Sequence, residues 1–205
     1  MAAAVTPLRH AGSRNTTRQK GVEVALINDP RKLFAYKLGT VLSGEKKILT
    51  MLKKLEKRAQ REELKRQFRH HREETEGQIR NIEQAFDVLG EKATGRTNPV
   101  VMGLAEQADV LYDKTDDEIL DTVLLGGAAE TEHVEIALYE DLITQARGLG
   151  EQQVVSLLQQ NLEQEQHTLE EVKRASEQLA QRSGRQPSLV GSGPQPTGFR
   201  DTGRE

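Results

Sequence analysis

The chain has 205 residues, with 29 Lys+Arg against 32 Asp+Glu, seven aromatics, six Pro and neither Cys nor Trp. Lack of Cys excludes disulfides, thiolate catalysis, zinc ribbons and Cys-ligated iron–sulfur clusters, and no stretch approaches the roughly 18 apolar residues that a membrane span needs. A mean hydropathy of −0.66, with abundant Leu, Glu, Gln, Lys and Arg, points to an all-α, cytoplasmic protein.

Residues 1–28 show no helical or strand period and carry four basic residues against one acidic. They are expected to form a disordered basic tail, a better fit than the organelle transit peptide they mildly resemble. Helix 1 is predicted to start at Asp29-Pro30, an N-cap followed by Pro at the first helical position. Its apolar stripe runs Leu38, Val41, Leu42, Ile48, Leu49, Leu52, Leu55 and Ala59. A short turn is placed at 56–63. Helix 2 follows from about Glu62 to Leu89 on Leu64, Phe68, Thr75, Ile79, Ile82 and Phe86, and Gly90 ends it.

Residues 91–115 hold Gly95, Pro99 and a short amphipathic piece from Val100 to Tyr112. Thr115-Asp-Asp-Glu118 reads as a capping box that opens helix 3, whose stripe includes Leu124, Leu125, Ala128, Ala129, Ile136, Tyr139, Leu142 and Ile143. Gly148 and Gly150 break the chain, and helix 4 continues on Val154, Leu157, Leu158, Leu162, Leu169, Val172, Ala175 and Leu179. Residues 182–205, rich in Gly, Pro and Ser, are expected to be a second disordered tail. The short turns make two antiparallel hairpins, and the 25-residue stretch between them reaches up to ~80 Å when extended. That recrosses a bundle about 40 Å long. The predicted fold is a ferritin-like four-helix bundle over 29–181: two antiparallel hairpins joined by a long crossover with a short extra helix. Residues 29–96 hold 17 basic and 11 acidic residues, and 97–180 hold 4 and 18. Hairpins of opposite charge pack together well, although two solvated faces of opposite sign would carry the same pattern.

Acid interrupts each stripe midway. Helix 1 has Glu45 between Leu42 and Ile48; helix 2 has His71, Glu74 and Thr75, with Gln78 a turn later. Helix 3 has Glu132 and Glu135, at i and i+3 on one face, and helix 4 has Asn161, Glu165 and Thr168. Glu45 lies 15 residues before a turn centred near 60, and Glu74 lies 14 after it. Glu135 lies 14 residues before a turn near 149, and Glu165 lies 16 after it. At ~1.5 Å per residue all four reach one level near mid-bundle. Unpaired carboxylates in one dry layer repel and are costly to desolvate. The basic residues fall mostly off the stripes, so two divalent cations bridged by shared carboxylates answer the charge best. Oxygen ligands with one imidazole suit Fe or Mn better than Zn or Cu.

The stretches Glu45-Lys-Lys, His71-Arg-Glu-Glu74-Thr-Glu-Gly-Gln78, Glu132-His-Val-Glu135-Ile-Ala-Leu-Tyr139 and Glu165 together resemble the YciE/YciF-type ferritin-like stress proteins. The opening Leu26-Ile-Asn-Asp-Pro-Arg-Lys-Leu-Phe is also similar, and the resemblance covers about residues 26–180. It implies a ferritin-like bundle, usually dimeric, with a di-metal centre. The sequence departs from better-defined di-iron proteins, which carry Glu-x-x-His on two helices. Here His71 precedes Glu74, Thr168 stands three residues after Glu165, and His133 lies off its stripe, leaving one inward imidazole.

Tyr139 and Gln78 are candidates to hydrogen-bond the ligand carboxylates, or else an ordinary core tyrosine and a satisfied buried amide. His70 and His167 are expected at the surface. Gly39, Gly44, Gly126 and Gly127 are expected to let helices approach closely, with Gly44 making room beside Glu45. The run Lys53–Arg72 holds nine basic and three acidic residues; lacking interleaved aromatics, it reads as a solvated helix end, and nucleic-acid binding is disfavoured. The leading expectation is a stress-associated homodimer that binds two Fe or Mn ions and oxidises Fe(II) with peroxide or oxygen. The alternative is a metal-free helical interaction protein whose buried acids are protonated or water-bridged.

Overall fold

A computed structural model describes residues 26–183. Apart from their innermost residues, the expected tails at 1–28 and 182–205 lie outside that range. Five helices follow in order: α1 (Pro30–Arg58), α2 (Glu62–Val88), α3 (Pro99–Tyr112), α4 (Asp117–Leu149) and α5 (Gln152–Ser183). The predicted helices 3 and 4 are α4 and α5, and α5 runs two residues past the expected end of the bundle at 181.

Local signals set most boundaries. The Asp29 carboxylate accepts from the Lys32 N–H at 3.0 Å, and Pro30 opens α1. The Asn98 side chain does the same for Val101 ahead of Pro99. Gly90 and Gly150 take φ of 69° and 76°, the left-handed conformation in which glycine is favoured after a helix. Gly148 stays helical inside α4, so Gly150 alone makes the break. The capping box is displaced by one residue: Asp116, not Thr115, caps α4, and the Thr115 hydroxyl donates back to the Leu111 carbonyl.

The hairpins α1–α2 and α4–α5 pack with α2 against α5 and α1 against α4, giving the ferritin-like bundle. The crossover places α3 over α1 and α4. It lies close on α1 because of two glycines. A Cβ on Gly39 would stand 2.5 Å from the Thr94 carbonyl oxygen, and one on Gly95 2.6 Å from Ser43 Oγ. The Arg96 N–H donates to the Gly39 carbonyl at 2.8 Å. Gly44 serves the same crossover, since its absent Cβ faces Asn98 and Val101 rather than the acid layer; Gly126 faces open space.

The hydrophobic core comes in two pieces. Around the α4–α5 turn, Phe34, Leu38, Leu42, Ile82, Phe86, Leu142 and Leu158 cluster. Around the α1–α2 turn, Ile48, Leu52, Leu64, Phe68, Leu124, Leu125 and Val172 do. Each fully buried side chain of this kind contributes about 1.5–3 kcal/mol relative to exposure. Between the two pieces the stripes turn polar.

Opposite charges meet across the molecule, as the uneven halves allowed. Lys37 pairs with Asp141, Arg31 with Glu151 at 2.7 Å, Lys54 with Asp109 and Arg58 with Asp113, both at 2.8 Å. Asp121, buried at the foot of α4, accepts from the Gln60 N–H at 2.8 Å and lies 3.5 Å from Arg61 Nε, which fastens the first turn to the second hairpin.

Candidate metal centre

Four helices deliver the polar layer, each by ordinary helical spacing. Residues three or four apart share a face, which turns Glu132, Glu135 and Tyr139 of α4 inward together and aligns Asn161, Glu165 and Thr168 on α5. The structure buries Glu45, His71, Gln78, Glu132, Glu135, Tyr139 and Glu165, all at 4% exposure or less. Ligand atoms of His71, Glu132, Glu135 and Glu165 all lie within 4.8 Å of one another. Glu45 enters the same layer from α1, where the charge of Glu165 acts on it.

Glu74 is placed differently from its expected role. Its side chain is 17% exposed, with one oxygen 3.8 Å from His71 Nδ1 and the other 3.5 Å from His70 Nε2 on the outside. It stands at the rim of the layer. His70, His133 and His167 are exposed as expected, so His71 is the one buried imidazole among the described residues.

Hydrogen bonds orient several of these groups. His71 Nδ1 lies 3.2 Å from the Thr168 hydroxyl, which turns Nε2 toward Glu132 Oε1 at 3.3 Å. Tyr139 donates its hydroxyl proton to Glu45 Oε1 and accepts from Asn161 Nδ2 at 3.0 Å. The Asn161 amide also donates to the Gln78 carbonyl at 3.2 Å, and Asn161 Oδ1 accepts from Asn81 Nδ2 at 2.7 Å. Tyr139 therefore holds a carboxylate of the layer and is no ordinary core tyrosine. Asn161 and Thr168 were legible as inward polar positions on the α5 stripe, but their supporting roles depend on partners from other helices. Asn81, at the edge of its stripe, carried no signal.

The remaining polar atoms are orphaned. Glu45 Oε2, His71 Nε2, Glu132 Oε2, Glu135 Oε2 and both Glu165 oxygens make no well-formed hydrogen bond, nor does either side-chain polar atom of Gln78. No lysine or arginine is among the buried residues described. Burial, with the Glu165 charge nearby, pushes the Glu45 carboxyl up to about 8. The same two causes hold Glu132 and Glu135 well above the usual carboxylate range. Burial also raises Glu165, against the opposing pull of His71. Glu74 moves the other way, lowered by the adjacent His71 ring. Buried acceptors without donors, gathered around one imidazole nitrogen, fit hard or borderline cations such as Fe or Mn. Glu132, Glu135, Glu165 and His71 would hold the first ion. Glu45 lies in the same layer, outside that four-residue group.

Relatives agree with this architecture. Residues 29–184 match a family described as Domain of unknown function (DUF892). Protein YciF of Escherichia coli is 36% identical over 138 residues, covering 66% of this chain and 83% of that protein. The crystal structure of the E. coli stress protein YciF superposes with a TM-score of 0.72 at 29% identity, over 76% of this chain and 99% of that one. The YcfI structure from Rhodopseudomonas palustris gives 0.70 at 31% identity, over 72% and 94%. The matched stretch contains all five helices and every residue of the acid layer, and the chain belongs to the DUF892 family.

Proposed function

We propose that this protein is a stress-associated, ferritin-like metal-binding protein whose acid layer holds two Fe or Mn ions. The observation that carries the reading is the set of orphaned carboxylate oxygens facing His71 Nε2 inside a bundle that buries no compensating cation of its own. The stress association comes from the similarity to the E. coli stress protein YciF.

Bound Fe(II) would supply one-electron reducing power. A pair of Fe(II) ions would supply the two electrons that, with two protons from solvent, would reduce one hydrogen peroxide to two waters. The chain's own groups have defined tasks in this scheme. Thr168 fixes the His71 ring, Tyr139 and Asn161 fix the Glu45 carboxylate, and the two apolar clusters keep bulk water from the layer. Glu74, bridging the surface and His71, is placed to pass cations inward.

A homodimer is part of the proposal. Val100, Met102 and Val110 of α3, with Ile119 at the start of α4, expose apolar side chains that a second copy would cover. Nucleic acid has little to bind: six of the nine basic side chains between Lys53 and Arg72 are paired with acids.

Anaerobic titration with Fe(II) or Mn(II), followed by calorimetry, tests the centre. Two equivalents should bind, and Glu135→Gln or Glu165→Gln should abolish at least one. Absence of binding, or binding indifferent to both substitutions, rejects it. The metal-free reading, in which the acids share protons, draws on the raised carboxyl groups and is the outcome that such a null titration would favour.

A further inference from the structure

Two voids share a wall. One, of about 20 Å³, lies inside the bundle among Ile48, Leu52, Phe68, Ala128 and Val172, and His71 and Glu132 close its inner end. The other is a groove of about 120 Å³ between α3 and α4, bordered by Leu104, Ala108, Val123 and Gly126. Tyr112 and Gly127 line both. We propose that the two voids form an entry route along which a small neutral oxidant, dioxygen or hydrogen peroxide, reaches the acid layer, with Tyr112 and Gly127 as its narrowest point. The inference rests on the metal-centre reading above and adds to it the path and the kind of molecule admitted.

Size and polarity select the traveller. The inner void has room for about one water-sized molecule. Its walls are largely apolar, so an ion would shed its hydration without compensation. Met51, also in the wall, has a flexible side chain that lets a slightly larger molecule pass. The void stops at His71 and Glu132, whose Nε2 and Oε2 have no well-formed hydrogen bond, and both belong to the compact four-residue cluster.

The constriction has its own signature. Gly127 sits mid-helix in α4, where glycine is a poor helix former, and a Cβ there would stand 3.4 Å from the Tyr112 hydroxyl. Alanine would just fit; a branched side chain would press into the tyrosine and fill the gap. Tyr112 is itself held by α3, with the Arg58 guanidinium 5.7 Å from its ring centre. Burial pushes its hydroxyl up to about 12, so the narrow point carries no charge near neutral pH. Gln67 also borders the inner void and, on its other side, an open groove of about 440 Å³ between α2 and α5. That second approach is closed by a polar amide rather than by a glycine gap.

Nitric oxide, a neutral diatomic, gives a readout separate from turnover: its association with Fe(II)-loaded protein is followed by stopped-flow absorbance. Gly127→Leu should slow association about tenfold, equivalent to ~1.4 kcal/mol of barrier, with Fe(II) stoichiometry unchanged. Tyr112→Ala should speed association, which keeps the proposal testable if the leucine variant does not fold. Gly148→Ala, which adds a methyl group in open space near the far end of α4 and borders neither void, should leave the rate unaltered. Oxidation by dioxygen and by peroxide is timed on the same variants. Slowing of dioxygen alone assigns the route to it, and slowing of both assigns it to both. Wild-type nitric oxide rates in both Gly127→Leu and Tyr112→Ala overturn the route, as does slowing seen only in Gln67→Leu. Crystals of the metal-free protein under krypton should show an atom between Tyr112 and His71, lost in Gly127→Leu; its absence from wild type also counts against the route. This readout needs no metal, so failure of the path and failure of the metal centre are told apart.

Discussion

Tyr139 gives its proton to Glu45 and takes one hydrogen bond from Asn161, so a single phenol ties α1, α4 and α5 at mid-bundle. Removing the hydroxyl in Tyr139→Phe takes one of the Asn161 amide's hydrogen bonds and leaves a buried Glu45 oxygen without a donor. A loss of about 1–3 kcal/mol is expected for such groups, read from the urea midpoint. Glu45 sets the pH response. Its carboxyl is raised from an ordinary 4.5 to about 8 in the folded protein, so between those values the folded state binds more protons than the unfolded state. The contribution of Glu45 to the stability of the metal-free protein is therefore fully present in acid and is lost as pH climbs from about 4.5 through about 8. Glu45→Gln keeps an acceptor for Tyr139 and removes the charge. It should stabilise the metal-free protein at pH 8 by at least about 1 kcal/mol and flatten the pH profile. Bound metal reverses the sign, because protons compete for the ligands; the thermal shift produced by Mn(II) should grow from pH 5.5 to pH 8.

Among the helices, the glycines separate into those that make room and those that do not. Gly126→Ala puts a methyl group into open space and should stabilise α4 by up to ~1 kcal/mol. Gly39→Ala drives a Cβ to 2.5 Å from a backbone oxygen of the crossover and should cost about 1–3 kcal/mol; thermal unfolding of the pair checks both signs. These assignments show where reading the chain works. Asp29-Pro30, Gly90 and Gly150 act within a few residues of themselves, so the helix ends were visible. Glu45, Glu74, Glu135 and Glu165 interrupt apolar stripes at matching distances from two turns, so the level of the acid layer was visible too. Gly44 looked like part of that layer because it adjoins Glu45, yet neighbours on a helix point about 100° apart, and Gly44 faces α3. Glu74 shared the right height but not the right rotation, which leaves it at the rim. The partnerships of Thr168 with His71 and of Asn161 with Tyr139 join residues far apart in sequence, and no local pattern announces them.

Across the whole molecule, a basic first hairpin and an acidic remainder meet in pairs that are largely solvent-exposed. Such pairs contribute about 0–1 kcal/mol each and are screened by salt. Melting in 1 M rather than 0.05 M NaCl should therefore drop by only a few degrees, because the two apolar clusters carry the stability. The division of that core into an upper and a lower piece has a dynamic corollary. The waist between them is the weakest part of an unloaded bundle, since four buried acidic side chains meet there with few partners to hold them. Cations seated at the waist would cross-link segments nearly a hundred residues apart along the chain, from His71 to Glu165. Amide protons flanking residues 45, 71, 135 and 165 should then exchange with deuterium far more slowly, while those near the helix ends keep their pace.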